Sequence, residues 1–211
     1  MECRIELVRK KQLTSHVVEL GFRRPAALTY RPGQHIRLHH GNISRDYTPV
    51  SLPGEEIVRI CVSPVARFSA YLSGCDTGAQ FKASGPYGHF TYRPSDRPAV
   101  FIGTGTGVAP FAAFVRSGIF CDLILHGGRQ TEDLIYQNTL KTGCRTYIPC
   151  ITRAAADNTS FQGRVTDYLA SRLSPDPYQF YLCGRREMIL DAMDIIDERF
   201  PDARVFTERF T

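Results

Sequence analysis

Polar and apolar positions change rhythm near the middle of this chain. Before that point they come in short runs. Arg4–Arg9 alternates, His16–Phe22 is rich in β-branched residues, and Gly33 leads into Gln34–His40. Gly41-Asn42 precedes Ser44–Leu52, Pro53-Gly54 precedes Ile57–Ser63, and Ala79–Ser84 runs into Gly85-Pro86-Tyr87-Gly88. Short runs bounded by turn residues predict strands, whose alternate side chains point to opposite faces. About six of them at this spacing predict a small antiparallel barrel. The one helical stretch among them is Arg67–Ser73, closed by Gly74.

Beyond Tyr92–Pro98, where two prolines and three charges sit together, the period switches. Ala99–Ile102, Cys121–His126, Arg145–Thr152 and Tyr178–Cys183 read as strands, with Arg204–Phe206 as a short last one. Helical segments alternate with them: Ala109–Arg116, a stretch ending at Leu140, Val165–Leu173 and Glu187–Arg199. Strand–helix alternation implies a parallel sheet with helices on both faces. The expected fold therefore has two domains. Residues 1–95 form a six-stranded antiparallel β-barrel, and residues 96–211 form an α/β parallel-sheet domain.

A chain of 211 residues can hold two modest cores. Pro98–Val115 carries no charge and approaches the length of a membrane span, but its glycines and threonines read better as buried strand, tight loop and buried helix. The N-terminus lacks the long apolar core of a signal peptide. The seven cysteines include no Cys-x-x-Cys pair and no iron–sulfur spacing, so reduced thiols in the cytoplasm are expected. The histidines form no metal-ligand pattern. Net charge divides unevenly: residues 1–95 hold 13 Lys/Arg against 7 Asp/Glu, a net of +6, while the remainder has 13 against 14, a net of −1. That basic half suits an acidic protein partner or bound phosphates. Without a basic helix or an RNA-binding signature, nucleic acid is not an expected partner.

Two strings carry the chemistry. Arg45-Asp46-Tyr47-Thr48 puts a cation, a flat aromatic and a hydroxyl on one extended stretch. Arg45 offers a bidentate guanidinium to a pyrophosphate, and Tyr47, two residues along, shares its side of the strand. Gly103-Thr104-Gly105-Thr106-Gly107-Val108-Ala109-Pro110 follows a buried strand and opens a helix. Its glycines let backbone approach a dinucleotide phosphate, and Pro110 is tolerated in the first helical turn. It is not the G-x-G-x-x-G of dehydrogenases. Ser69 starts the barrel's helix, where unpaired amides and a hydroxyl suit phosphate. Cys183-Gly184 ends a strand at the carboxyl edge, where such folds bind ligands.

With the Gly85–Phe90 segment and the terminal Phe206–Phe210, these strings make the chain resemble the ferredoxin–NADP reductase superfamily over nearly its whole length. The resemblance implies a flavin-binding barrel followed by a nicotinamide-binding domain. It implies FAD on Arg45, Tyr47, Thr48 and Ser69, with Thr48 hydrogen-bonded to flavin N5; most relatives have Ser there, and Thr keeps the hydroxyl. It places the nicotinamide nucleotide on Gly103, Gly105, Thr106 and Gly107, and on Cys183 and Gly184, with Cys183 beside the nicotinamide ring. Glu208 would lie near that cysteine and hydroxyl, and Phe210 would shield the flavin face, although Thr211 follows it here where relatives end. Thr48, Cys183 and Glu208 are thus the implied catalytic set.

Nucleotide choice turns on cations for a 2′-phosphate. Thr152-Arg153 ends the third strand of the second half, and Arg164 follows in Gly163-Arg164-Val165. In relatives such a hydroxyl–Arg pair favours NADPH, with NADH the alternative; no acid for ribose hydroxyls stands at the end of that strand. The implied activity takes hydride from NADPH and passes single electrons to a ferredoxin or flavodoxin. Alternatives are an NADH-linked oxygenase reductase component, a free-flavin reductase and, in a different class, a non-catalytic nucleotide-binding subunit of an electron-transfer complex. FMN stands as the alternative flavin. Nothing in the sequence sets the oligomeric state.

Overall fold

The computed structural model describes residues 2–153 and 159–209. Strands β1 (Glu2–Thr14), β2 (Val17–Arg23), β3 (His35–His40), β4 (Ile43–Tyr47), β5 (Ile57–Val62) and β6 (Gln80–Tyr87) form one antiparallel sheet in the order β4-β3-β6-β1-β2-β5. The ring closes just beyond β4: Pro49 bridges Ile60, and the Val50 N–H donates to the Arg59 carbonyl at 2.8 Å. Ile5, Leu7, Leu20, Phe22, Ile36, Leu38, Ile60 and Phe81 fill the interior, with Phe22 and Phe81 packed edge to face at 5.8 Å. Helix α1 (Arg67–Gly74) plugs one end through Phe68 and Leu72.

The second sheet holds β7 (Ala99–Thr104), β8 (Cys121–Gly128), β9 (Cys144–Ile151), β10 (Phe161–Gln162), β11 (Gln179–Gly184) and β12 (Arg204–Arg209), in the order β10-β9-β8-β7-β11-β12 and parallel throughout. Every residue of β11 is buried, as a central parallel strand covered on both faces requires. Between β7 and β9 lie helices α2 (Ala109–Arg116) and α3 (Gln137–Thr142); α4 (Val165–Ser171) and α5 (Arg186–Arg199) cover the opposite face. Ile189, Ala192 and Ile196 give α5 its buried stripe. Its last-turn Arg199 donates to the Leu169 and Ala170 carbonyls and so caps α4.

The stretch Pro98–Val115 is a buried strand, a 3-10 turn over Gly105–Val108 and a buried helix. Among the described residues, no helix is long and apolar enough to cross a membrane. Several predicted bounds shift. The run over Ser44–Leu52 leaves the strand at Tyr47, because the chain must bend at Thr48-Pro49 to reach β5. The helix ending near Leu140 is only Gln137–Thr142. β10 was not predicted: two residues are too short to show a period, and only pairing with Cys150 and Ile151 defines them. The last strand continues to Arg209 and carries Glu208 within the ladder.

The halves share a core. Val17, Val50 and Cys61 of the barrel join Phe101, Phe111, Phe114, Tyr181 and Cys183 in one apolar cluster. Polar contacts tie the same seam: the Tyr136 hydroxyl donates to Glu19 at 2.9 Å, and Arg116 meets Glu55 at 2.9 Å.

Candidate functional site

On the barrel side, β4 and α1 face one another. Arg45 lies opposite Leu38 and is exposed; its guanidinium donates to the Ser44 carbonyl at 2.8 Å. Tyr47 lies opposite Ile36, on the side shared with Arg45, and packs against Phe68 at 6.4 Å. Burial pushes its phenol up to about 12, against the opposing pull of the Arg45 charge and a hydrogen bond with Ser69. Arg45, Tyr47 and Ser69 are therefore one neighbourhood. Ser69 is not the first helical residue: it stands in the first turn of α1, its hydroxyl donating back to the Ala66 carbonyl at 3.2 Å. It acts as a cap within the protein and stays at the helix start, where amides without intrahelical partners gather.

Thr48 is buried at 2% exposure, and its hydroxyl has no hydrogen-bond partner among the described residues. An unpaired buried hydroxyl costs free energy, about 1–3 kcal/mol, unless a ligand completes it. Its neighbour Pro49 bridges Ile60, and the next residue, Cys61, points its sulfur at the Thr106 carbonyl at 3.9 Å. The barrel thus meets the glycine loop directly beside Thr48.

On the nucleotide side, register places Cys183 between Gly103 of β7 and Glu208 of β12. The loop after β7 presses onto this strand end. A Cβ on Gly107 would lie 2.4 Å from the Cys183 carbonyl oxygen and 2.6 Å from the Gly184 Cα, so any side chain there forces the loop outward. Thr104 shares the situation of Thr48, with a buried hydroxyl and no partner among the described residues. Thr106 is half-buried in the 3-10 turn, and Gly105 is exposed beside it. Burial, reinforced by the Glu208 charge and by Cys61, raises the Cys183 thiol well above its ordinary range. The raised thiol favours the neutral form over the thiolate.

At the ends of β8 and β9 the arginines converge. The Arg153 N–H donates to the Arg129 carbonyl at 2.8 Å, and Thr152 pairs with Gly128 at 3.2 Å. Gly163 bonds to Ile151 at 2.9 Å, which brings Arg164 alongside at the start of α4. Thr152, Arg153 and Arg164 are all exposed on this carboxyl edge. Sequence reasoning missed Arg129, which lies three residues beyond the predicted strand Cys121–His126 and directly follows β8 as it stands in the structure. It also missed Thr104, inside the quoted glycine loop, and His35, which only the fold brings to the site. Phe210 lies outside the described residues.

Residues 4–92 match the oxidoreductase FAD-binding domain model, and residues 101–194 match the oxidoreductase NAD-binding domain model, one over each sheet. The fold and site thus define a flavin- and nicotinamide-binding oxidoreductase chain. It belongs to the ferredoxin–NADP reductase superfamily. The xylene/toluene monooxygenase electron transfer component of Pseudomonas putida is 28% identical over 96% of this chain and 63% of its own length. Ferredoxin–NADP reductase B of Sorangium cellulosum is 34% identical over 66% of this chain and 63% of its own. The chain therefore spans under two thirds of the length of these curated relatives. A ferredoxin NADP+ reductase from Neisseria gonorrhoeae, solved with bound FAD and NADP, superposes with a TM-score of 0.84 at 21% identity, over 99% of this chain and 98% of that one.

Proposed function

We propose that this chain is a reductase that accepts hydride from NADPH onto bound FAD and delivers electrons singly to a carrier protein. The observation that carries this reading is the junction itself: the unpartnered Thr48 hydroxyl of the barrel stands next to a loop pressed against Cys183, whose strand neighbour is Glu208. A bound flavin supplies the conversion between two-electron and one-electron chemistry. Arg45 and the start of α1 hold its phosphates, and Tyr47 offers a flat face. Thr48 donates or accepts one hydrogen bond at a position otherwise sealed from water. Cys183 keeps the approach to that point compact and uncharged, and Glu208 sets the polarity beside it. We assign the barrel unit to residues 1–95 and the nucleotide-binding unit to 96–211.

Arg153, with Arg129 and Arg164 on the same edge, supports NADPH over NADH, because a 2′-phosphate needs cationic donors there. The basic barrel half suits an acidic partner such as a ferredoxin or flavodoxin, and free cysteines fit a cytoplasmic setting. A second reading, the reductase component of an oxygenase, is favoured by similarity to the xylene/toluene monooxygenase component. Anaerobic titration of the purified protein with NADPH, then NADH, separates them by the visible flavin band. Bleaching at one equivalent, faster with NADPH, is the expected result. Preference for NADH would favour the oxygenase component. A protein that stays colourless after added FAD would overturn both.

A further inference from the structure

We propose that His35 is a positioning residue for Glu208, clamping this carboxylate of β12 onto the barrel and so setting its orientation beside Cys183. The proposal rests on the reading of Cys183 and Glu208 as the nicotinamide end of the site. The imidazole sits between two acids from different strands. Its Nδ1 lies 3.1 Å from Glu208 Oε1, and its Nε2 lies 3.5 Å from Asp46 Oδ2. Side chains of His35 and Glu208 are only 14% and 17% exposed, so the contact is sheltered from water. It joins residues 173 positions apart, from β3 to β12.

The ring is held from every side. Tyr87 packs against it at 6.0 Å. The backbone of Gly88 passes so close that a Cβ there would fall 2.8 Å from Nδ1, and its φ of +87° is one that side-chain-bearing residues rarely adopt. The Gln34 amide donates to the Gly88 carbonyl at 3.3 Å and fixes that turn. Asp46 is itself immobilised by a bidentate Arg37, at 2.7 and 2.9 Å, and Arg37 lies 5.3 Å above the Tyr87 ring. Burial alone would raise the Asp46 carboxyl; the Arg37 hydrogen bonds and charge, with the neighbouring imidazoles of His35 and His39, outweigh it and hold the group below its ordinary range.

This order of support has a direction: Arg37 fixes Asp46, Asp46 and Tyr87 fix His35, and His35 fixes Glu208. A carboxylate only accepts hydrogen bonds, so Nδ1 must carry the proton that faces Glu208. Glu208 then holds one orientation, and its charge acts on the Cys183 thiol. Without the imidazole, the carboxylate is free to turn away or to draw in water. His35 touches neither reacting group and acts only through Glu208.

The test uses the full purified chain. The imidazole nitrogens are read by ¹⁵N NMR in flavin-free and FAD-loaded protein, and NADPH-driven flavin reduction by stopped flow. Protonated Nδ1, with a signal that moves in Glu208→Gln, is expected in both forms. His35→Phe keeps the ring packing and should slow hydride transfer about tenfold while leaving the NADPH KM within about twofold, as a misplaced group does. His35→Gln restores an N–H and should recover much of the rate; the His35→Phe/Glu208→Gln double variant should be no slower than the slower single variant. A bare Nδ1, a signal unmoved by Glu208→Gln, or a full-speed His35→Phe enzyme would overturn the clamp and leave the reductase reading intact. If the protein takes up no flavin, that reading fails, and the flavin-free spectrum still decides the clamp. Should His35→Phe not fold, His35→Gln and the Glu208→Gln spectrum carry the test.

Discussion

Thr48 and His126 are both buried polar residues with an unpartnered atom, yet they lead to opposite expectations. The Thr48 hydroxyl is the atom we assign to the bound flavin. Thr48→Val keeps the shape and removes the hydroxyl. Flavin should stay bound and the flavin-free protein should lose no stability, while hydride transfer slows by on the order of a hundredfold, the scale of one lost preorganised donor. Stopped-flow reduction at the native rate would remove Thr48 from the mechanism. His126 lies inside β8, its Nδ1 2.7 Å from the Tyr147 hydroxyl, and burial pulls its pKa down to about 3. The unfolded chain binds that proton near the ordinary value of about 6.5, so stability is full above that pH and falls below it. The loss continues toward about 3, at up to about 1 kcal/mol per pH unit. Urea unfolding between pH 7 and 4 should therefore be less pH-dependent in His126→Gln than in the native chain. Parallel curves would show that another group dominates acid sensitivity.

At the scale of elements, the site depends on how loops lie against strand ends. The turn after β7 reaches Cys183 only because Gly107 has no side chain. Gly107→Ala pushes the turn away from β11, the place assigned to the nucleotide, and leaves the barrel and its arginine untouched. The NADPH KM should rise about tenfold, or about 1.4 kcal/mol, with FAD content unchanged. An unaltered KM would mean that the turn does not approach the nucleotide. Local pattern determined most of the elements involved, since their periods of two and 3.6 are written in neighbouring residues. It did not determine where β4 ends: Ser44–Leu52 contains no glycine to mark a turn, and the bend at Thr48 is imposed by the bridge from Pro49 to Ile60. For the same reason β1 extends to Thr14 through the polar run Arg9–Gln12, held by its ladder with β2.

Across the whole molecule, the two halves are cemented by a shared apolar cluster and by Tyr136 on Glu19, a carboxylate only 6% exposed. Tyr136→Phe leaves that acid without its donor and should cost about 1–3 kcal/mol. Calorimetry should still show one transition, at a lower Tm; two separated transitions would mean that the halves unfold independently. Charge acts over the same scale. The barrel's net of +6 should steer an acidic carrier, so the rate of carrier reduction should fall steeply as salt rises, while flavin reduction at saturating NADPH changes little. A salt-independent carrier rate would place docking elsewhere.

Taken alone, the residues determined the two-part architecture, the strands and helices, and the neighbourhoods of Arg45, Gly103–Gly107 and Cys183, because each is a local pattern of period, turn or loop chemistry. Tertiary structure alone decided what lies across from what. Thr104 without a partner among the described residues, Arg129 next to Arg153, and His35 between Asp46 and Glu208 all arise from strand order and register, as does the ladder pairing of Cys183 with Glu208 that the family resemblance implied. Those pairings join residues far apart in the chain, and nothing in either local segment encodes the other, so they exist only once the sheets have closed.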